Sequence, residues 1–425
     1  MTEDFLHYLW RFKKINIQNL KTVSGEKLEL LRFGMHNSDS GPDFSNALLR
    51  IENQLWAGNI EIHIKNSDWR KHKHQNDRAY RNVILHVVYE YDTEIKFFDD
   101  GPDIPCLEIK DRIDEQLYWQ YEKLVNSEGP IVCYQYAEKV EAFIKENMLH
   151  RLVVERLEHK TRELGELLED KRGNWNELFY EWLFRAFGLK VNAEPMRMLS
   201  RQLSSSIIYR HRNNLEDIES LLFGLAGMLN PAIDDYSKRL FGKFQHFKIK
   251  YHLSELDGKI WKFSRMRPHS FPSLRIAQLS AFLFKNGAIF HRFLEEKNME
   301  VLQSMFKIEV SEYWQNHFRF GLKSKPRTGD LGENFRQTLL LNSLVPIQFL
   351  YSKEKGDEEI QKGAFEILEK MKFESNQISR IYEELNFPID SAYHSQAFVH
   401  LHQFYCKPKK CLNCNLGTHL MTVPK

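Results

Sequence analysis

Residues 60 to 65 read Ile-Glu-Ile-His-Ile-Lys. Strict alternation of this length fits a strand and no helix, because side chains on an extended backbone point to opposite faces in turn. Ile60, Ile62 and Ile64 would face a core together. Glu61, His63 and Lys65 share the other side and are expected to line a surface or a cleft. The run NVILHVVYEYD, from Asn82 to Asp92, is rich in β-branched and aromatic residues and suits another strand. Further strands are expected over residues 27–33, 47–52, 54–65 and 95–98, with a hairpin turn at Asn53 and a loop marked by Gly101-Pro102 and Pro105. A helix over residues 3–14, N-capped by Thr2, puts Phe5, Leu6, Leu9 and Trp10 on one face. A short helix is expected between Asp68 and Tyr80. The first 125 residues therefore read as an α/β domain: a small mixed sheet with flanking helices.

From about Ile131 the pattern changes. No proline stands between Pro130 and Pro195, and Leu, Glu, Lys and Arg dominate. Phe143, Leu149, Leu152, Val153, Leu157, Leu164, Leu167 and Leu168 recur at helical spacing. Asn174 with Glu177 resembles a capping box for a helix through Phe187. Further helices are expected over 195–205, 214–229, 272–284, 335–351, 363–371 and 377–386. Residues 126–404 thus form a larger, mostly helical domain, and 405–425 a Cys-rich tail. A chain of 425 residues with 42% hydrophobic content has room for two or three such units. A net charge of +2 excludes a global field toward nucleic acid or membrane, so any electrostatic footprint must be local. The charge-interrupted N-terminus is not a signal peptide, and no run of eighteen apolar residues marks a membrane span. Five unevenly spread cysteines do not make a disulfide framework. The expected location is the cytoplasm.

The chemistry concentrates between Gly41 and Asp92. Asp43 follows a Gly-Pro turn and precedes a strand. If that strand pairs with the one carrying Glu61, the two carboxylates approach to metal-bridging distance. Oxygen ligands suit Mg2+ or Mn2+, an ion that holds a phosphate and lowers the pKa of an attacking water. Lys65 or a protonated His63 would stabilise the charge that develops. The imidazoles offer an alternative: His63, His72, His74 and His86, with Asp77, as a nitrogen-rich site for Zn2+ or Mn2+. His86, inside an apolar strand, fits a satisfied core histidine better, and Asp77 fits a turn cap.

Helix, strand, Pro42-Asp43, a strand carrying Glu61-Ile62-His63, helix and strand together resemble the PD-(D/E)xK phosphodiesterase core of restriction-type nucleases. The resemblance implies a restriction-endonuclease-like fold, with Asp43 as first metal ligand, Glu61 as second and His63 at the position of the catalytic lysine. The last is a departure, with Lys65 two residues on along the same face. Glu3 matches the auxiliary helical acid. Over the whole chain GPDFSNA, EIHIKNSDW, HxHxxDxxYxNVILHVV, RPxxFPxxRIAQL and the terminal YC-x4-CxxCxxG also resemble an uncharacterised bacterial domain-of-unknown-function family, which implies no established activity.

Two other features carry expectations. Between Lys238 and Arg275 cations outnumber acids, and aromatics interleave. Lys248, Lys250, Lys262, Arg265, Arg267 and Arg275 are candidate phosphate contacts to DNA or RNA, while the aromatics fit a core. In the tail, Cys406, Cys411 and Cys414 have metal-ligand spacing, with His419, His402 or the distant Cys133 as a fourth ligand. Zn2+ is the first expectation there and an iron–sulfur cluster the second. The leading functional expectation is a metal-dependent phosphodiesterase acting on nucleic acid. The alternatives are a nucleic-acid-binding or scaffold protein with an inactive nuclease-like core, and a His-rich zinc hydrolase.

Overall fold

The computed structural model describes residues 1–37, 39–100, 103–287 and 290–422; the expected Gly101-Pro102 loop lies outside them. The chain packs as two units. The first comprises Met1–Met148, Glu384–Phe387 and the segment from Leu401 onward, and the second Leu149–Glu383 and Pro388–His400. The Cys-rich tail thus belongs to the same unit as the sheet.

In the first unit, α1 (Glu3–Arg11) starts where expected: Thr2 accepts a hydrogen bond from Phe5 N. Phe5, Leu6, Leu9 and Trp10 are all fully buried. The sheet comprises β1 (Leu28–Arg32), β2 (Met35–His36), β3 (Phe44–Ile51), β4 (Gln54–Lys65), β5 (Val83–Glu90) and β6 (Cys106–Glu108). Its order is β1-β3-β4-β5-β6, with β2 also on β3. β3 and β4 form an antiparallel hairpin that turns at Glu52 and Asn53. β4 and β5 run parallel, joined by a crossover that holds α2 (Asp68–Lys71) and short 3-10 turns over His74–Asn76 and Arg78–Asn82. Register places Glu61 opposite His86 and Ile60 opposite Leu85. Later helices of this unit are α3 (Glu115–Val125), α4 (Tyr134–Ala137) and the C-terminal helix Asn415–Thr422.

Two expectations fail here. Residues 95–98 form no strand. Phe97 and Phe98 instead plug a core cluster with Trp69, Tyr80, Val83 and Ile104, and Trp69 Nε1 donates to the Phe97 carbonyl at 3.1 Å. The strand beside β5 is Cys106–Glu108, too short to announce itself by alternation. The second failure concerns β4. Glu61 and His63 are only 4% and 2% exposed, because α1 and the crossover segment pack over that face. From Ile60 to His63 both faces of β4 are buried, so its polar side there is interior and not a surface.

The second unit is helical, apart from a small β-hairpin at His317–Lys323. It includes most of the long helix Ala142–Asp170, and helices at Trp175–Phe187, Leu215–Leu225 and Pro272–Asn286. Asn174 caps Trp175–Phe187 by accepting from Glu177 N. Leu152, Val153, Leu157, Leu164 and Leu167 are buried as the spacing requires. Phe143, expected among them, is 74% exposed. The basic stretch opens with an unexpected helix, Asp235–Tyr251, held by a reciprocal cap between Asp234 and Ser237. Asp234 also accepts from Tyr313 Oη at 2.6 Å and Gly321 N at 3.0 Å. Asp234→Ala is expected to cost about 1 kcal/mol, read as a lower denaturation midpoint of the helical signal.

Candidate metal centre

Three histidines and one glutamate converge inside the first unit. Glu61 and His63 come from β4. His72 ends α2 and His74 opens the next 3-10 turn, so the tight crossover folds both imidazoles back over the strand. Lys73 between them adopts a left-handed conformation (φ 64°), which brings the two rings to one side. His63 Nε2 lies 3.1 Å from His72 Nδ1 and 3.2 Å from His74 Nε2. Glu61 Oε1 lies 3.3 Å from His74 Nε2 and 3.6 Å from His63 Nε2. Ligand atoms set tetrahedrally about one zinc-like ion stand ~3.3 Å apart. Each of these separations is close to that edge length.

The tautomer of His63 is set from behind. Asn66 Nδ2 donates to the Thr93 carbonyl at 2.8 Å, which turns its Oδ1 toward His86. His86 Nδ1–H donates to that oxygen at 3.0 Å, leaving a lone pair on Nε2. His63 Nδ1–H donates to His86 Nε2 at 2.8 Å. The lone pair of His63 is thereby assigned to Nε2, the atom that faces His72 and His74. His86 is thus a satisfied core histidine, as its apolar strand suggested, and also the group that orients a ligand. Aromatic rings hold the rest. Tyr80 stacks on His74 with centroids 3.9 Å apart, and Trp69 meets His63, His74 and His86 edge-on.

Burial and neighbouring imidazoles push His63 well below its ordinary pKa. Burial, helped by a neighbouring imidazole in each case, lowers His74 to about 4 and His86 to about 3. All three are neutral, and for His63 and His74 that is the state in which an imidazole ligates a metal. Burial, reinforced by Asp43, raises Glu61 to about 9.

Asp43 stands on the other side of Glu61. Its backbone N–H donates to Glu61 Oε2 at 3.1 Å, and its Oδ2 accepts from Ile62 N at 2.9 Å. The two acids are therefore neighbours, as pairing of their strands required. Asp43 Oδ2 also lies 3.1 Å from Nε2 of His7 on α1. Burial disfavours the His7 imidazolium, but Asp43, together with Asp4 and Glu3, outweighs it and the net shift is upward. The charges of His72, His7 and Asp43 all act on Glu3, whose carboxyl is raised chiefly by burial.

Two expected members do not join. Lys65 is exposed at the end of β4, and its charge acts on Asp92. Asp77 caps the Arg78–Asn82 turn, accepting from Ala79 N at 2.9 Å. His7 and Asn66 were not foreseen. Spacing of Glu3 and His7 on one helix face was the only available signal for the first.

A cavity of about 350 Å³ adjoins His7. His7, Arg11, His36, Lys409, Lys410 and Asn413 line it together with aromatic Tyr8 and Tyr121. Among the lining residues only Asp4 is acidic.

Residues 3–377 match the model of a family described as a protein of unknown function, DUF2851. The chain belongs to the DUF2851 family. No curated protein and no solved structure matches it. The DUF2851 match covers the whole histidine cluster, the basic stretch and Cys133, and ends before Cys406, Cys411 and Cys414.

The basic stretch of this DUF2851 chain is partly consumed by its own fold. Phe244, Phe247 and Trp261 are core residues. Arg275 is a correction: it is buried, its guanidinium lies 3.5 Å from the Phe335 ring centroid, and its Nη1 donates to Gln278 Oε1 at 2.9 Å. It cannot grip a phosphate. Lys248 pairs with Glu255 at 2.6 Å. Lys250, Lys262, Arg265 and Arg267 remain exposed. No helix among the described residues is long and apolar enough to cross a membrane. The five cysteines are free of disulfides, and all but Cys406 are buried.

Proposed function

We propose that the first unit is a metal-dependent hydrolase of phosphate esters, with phosphodiesters of nucleic acid as the leading substrate class. The convergence of His63, His72 and His74, whose ligand atoms lie within 4.8 Å of one another, with Glu61 Oε1 3.3 Å and 3.6 Å from two of them, carries the reading. Three imidazoles would hold the ion, and a nitrogen-rich set favours Zn2+ or Mn2+ over Mg2+. Such an ion would supply a water of lowered pKa and polarise a phosphoryl oxygen. Its charge would also offset the burial that raises Glu61, leaving Glu61 Oε1, beside His63 and His74, as a carboxylate that would take the proton of that water. Asp43 holds Glu61 in place through its N–H. The cationic cavity beyond His7 suits the phosphate and a flanking ring.

The nearness of Asp43 to Glu61 favours a second reading, the two-carboxylate Mg2+ site that the PD-(D/E)xK resemblance implies, on a restriction-endonuclease-like core. Purified protein assayed on single- and double-stranded DNA and RNA with Zn2+, Mn2+ or Mg2+ separates the two. The histidine reading expects His74→Ala to lose both bound metal and cleavage. Cleavage sustained by Mg2+ in His74→Ala and abolished in Asp43→Ala would instead establish the two-carboxylate site. Salt-sensitive binding without cleavage in any metal would support the scaffold alternative. Lys65→Ala is expected to keep wild-type turnover, since Lys65 stands outside the cluster, and a large loss would restore it to the machinery.

A further inference from the structure

The second unit holds a cavity of about 490 Å³ with a cationic lining. Arg156, His159, Lys160 and Arg162 reach it from the long helix Ala142–Asp170, and Arg185 from the helix Trp175–Phe187. Arg156, His159 and Lys160 stand at i, i+3 and i+4, so they share one helix face. Like charges at that spacing repel and weaken a helix. Elsewhere the same helix pairs opposite charges, Arg151 Nε with Glu155 Oε1 at 3.2 Å. At the cavity it sets basic groups side by side.

The acids there do not balance them. Glu163 lines the cavity, but its two oxygens are taken by Arg185 Nη2 at 3.2 Å and Arg197 Nη1 at 3.4 Å. Glu166 lines it from an exposed position. Arg156 Nε donates to the neutral Gln396 Oε1 at 3.4 Å, and Lys160 Nζ to the Leu341 carbonyl and Asn342 Oδ1, both at 3.2 Å. Among the described residues no carboxylate comes within ion-pair distance of Arg156, Lys160 or Arg162. Glu374 acts on Arg156 and Lys160 from beyond that distance. Burial, and then the Arg156 charge, lowers Lys160 to about 7. Burial also lowers Arg156, and burial with the charges of Arg156, Arg162 and His400 lowers His159.

The surrounding chain fixes these groups in place. Asn342 lies in the π-helical turn Leu340–Leu344, and Pro346, four residues on, has no N–H to offer its carbonyl. Trp182 Nε1 donates to that carbonyl instead, at 2.6 Å. The Arg185 guanidinium lies over the Trp182 ring, 4.4 Å from its centroid. One turn therefore positions Lys160 directly and Arg185 through Trp182. An ammonium has three N–H groups and a guanidinium five, so Lys160 and Arg156 keep donors beyond those spent on neutral acceptors. Cations held together with donors to spare are short of an anion. Three basic groups without a paired carboxylate suit a ligand of two or more negative charges. The volume falls in the range of small-molecule sites, roughly 300–1,000 Å³. Cations gathered round one cavity fit a compact ligand better than a strand, which needs them along a stripe.

We propose that this cavity binds a small condensed phosphate, a diphosphate either free or carried by a nucleotide, with Arg156, Lys160 and Arg162 donating to its oxygens and Arg185 adding charge. The site stands apart from the hydrolase reading and does not rest on it.

The test uses the full chain carrying His74→Ala and dialysed free of metal, so that the histidine centre contributes no phosphate binding. Calorimetry at about 0.15 M salt titrates it with pyrophosphate, ADP and inorganic phosphate. Both diphosphates are expected to bind more tightly than phosphate. Lys160→Met and Arg156→Gln should each weaken them about tenfold or more, the worth of a charge-assisted hydrogen bond. Lys353→Ala, whose ammonium pairs with Glu158 at 2.9 Å outside the cavity lining, should keep the parent affinity. Tighter binding of ADP than of pyrophosphate assigns the nucleotide as the source, and the reverse assigns the free diphosphate. No diphosphate binding up to about 1 mM, or equal affinity in all variants, overturns the site. Should Lys160→Met fold poorly, Arg162→Glu answers on an exposed side chain: about tenfold weaker binding is expected, and unchanged affinity overturns the site. A single-stranded oligonucleotide that binds more tightly than both diphosphates, and is lost in the same variants, overturns the small-ligand assignment in favour of a strand.

Discussion

Glu61→Gln is expected to lower hydrolysis roughly 10²–10⁴-fold, the usual worth of a positioned general base, while the protein keeps its metal. Gln has the shape of Glu and can still take the Asp43 N–H through its carbonyl oxygen, so the fold of β4 is preserved. What it cannot do is accept a proton beside His63 and His74. Three imidazoles suffice to hold an ion, so metal content and turnover should separate. Measured together by elemental analysis and initial rates, they discriminate two roles. Loss of metal along with activity would make Glu61 a fourth ligand and the site a closed, structural one.

Asn66→Leu should weaken the same site from a distance. Asn66 touches no candidate ligand directly. It faces His86, which faces His63, and the relay fixes which nitrogen of His63 presents its lone pair. Leucine removes the oxygen that accepts from His86 Nδ1–H in a fully buried position. His86 can then take the other tautomer, and the pressure on His63 to expose Nε2 disappears. Loss of such an outer partner typically costs 10–100-fold in metal affinity. Metal titration of Asn66→Leu beside Asn66→Asp should show the loss in the first and a smaller one in the second, whose carboxylate still accepts. Equal affinity in Asn66→Leu and wild type would sink the relay.

Much of this site was legible in the chain. Alternation over residues 60–65 placed Glu61 and His63 on one face, and the nearby imidazoles pointed to metal chemistry. That legibility came from local periodicity and residue type. The missing parts depend on tertiary packing. Whether β4 is covered on its polar side depends on α1, so a buried site read as the lining of a surface or a cleft. His7 reaches Asp43 only because that helix lies across the sheet. Phe97 and Phe98 looked like strand residues because a loop plug and a short strand share composition. Arg275 looked like a phosphate contact because sequence shows charge but not the Phe335 ring that covers it.

The first unit draws in residues from Leu401 onward. Met1–Met148 carries the histidines, and the segment from Leu401 contributes Lys409, Lys410 and Asn413 to the lining of the cavity. On a ribosome moving at ~5–20 residues per second, the sheet therefore waits roughly ten seconds to a minute for the segment that completes it. During that interval the nascent chain presents a half-built cavity, and a product truncated before Leu401 would carry the histidines without Lys409, Lys410 and Asn413.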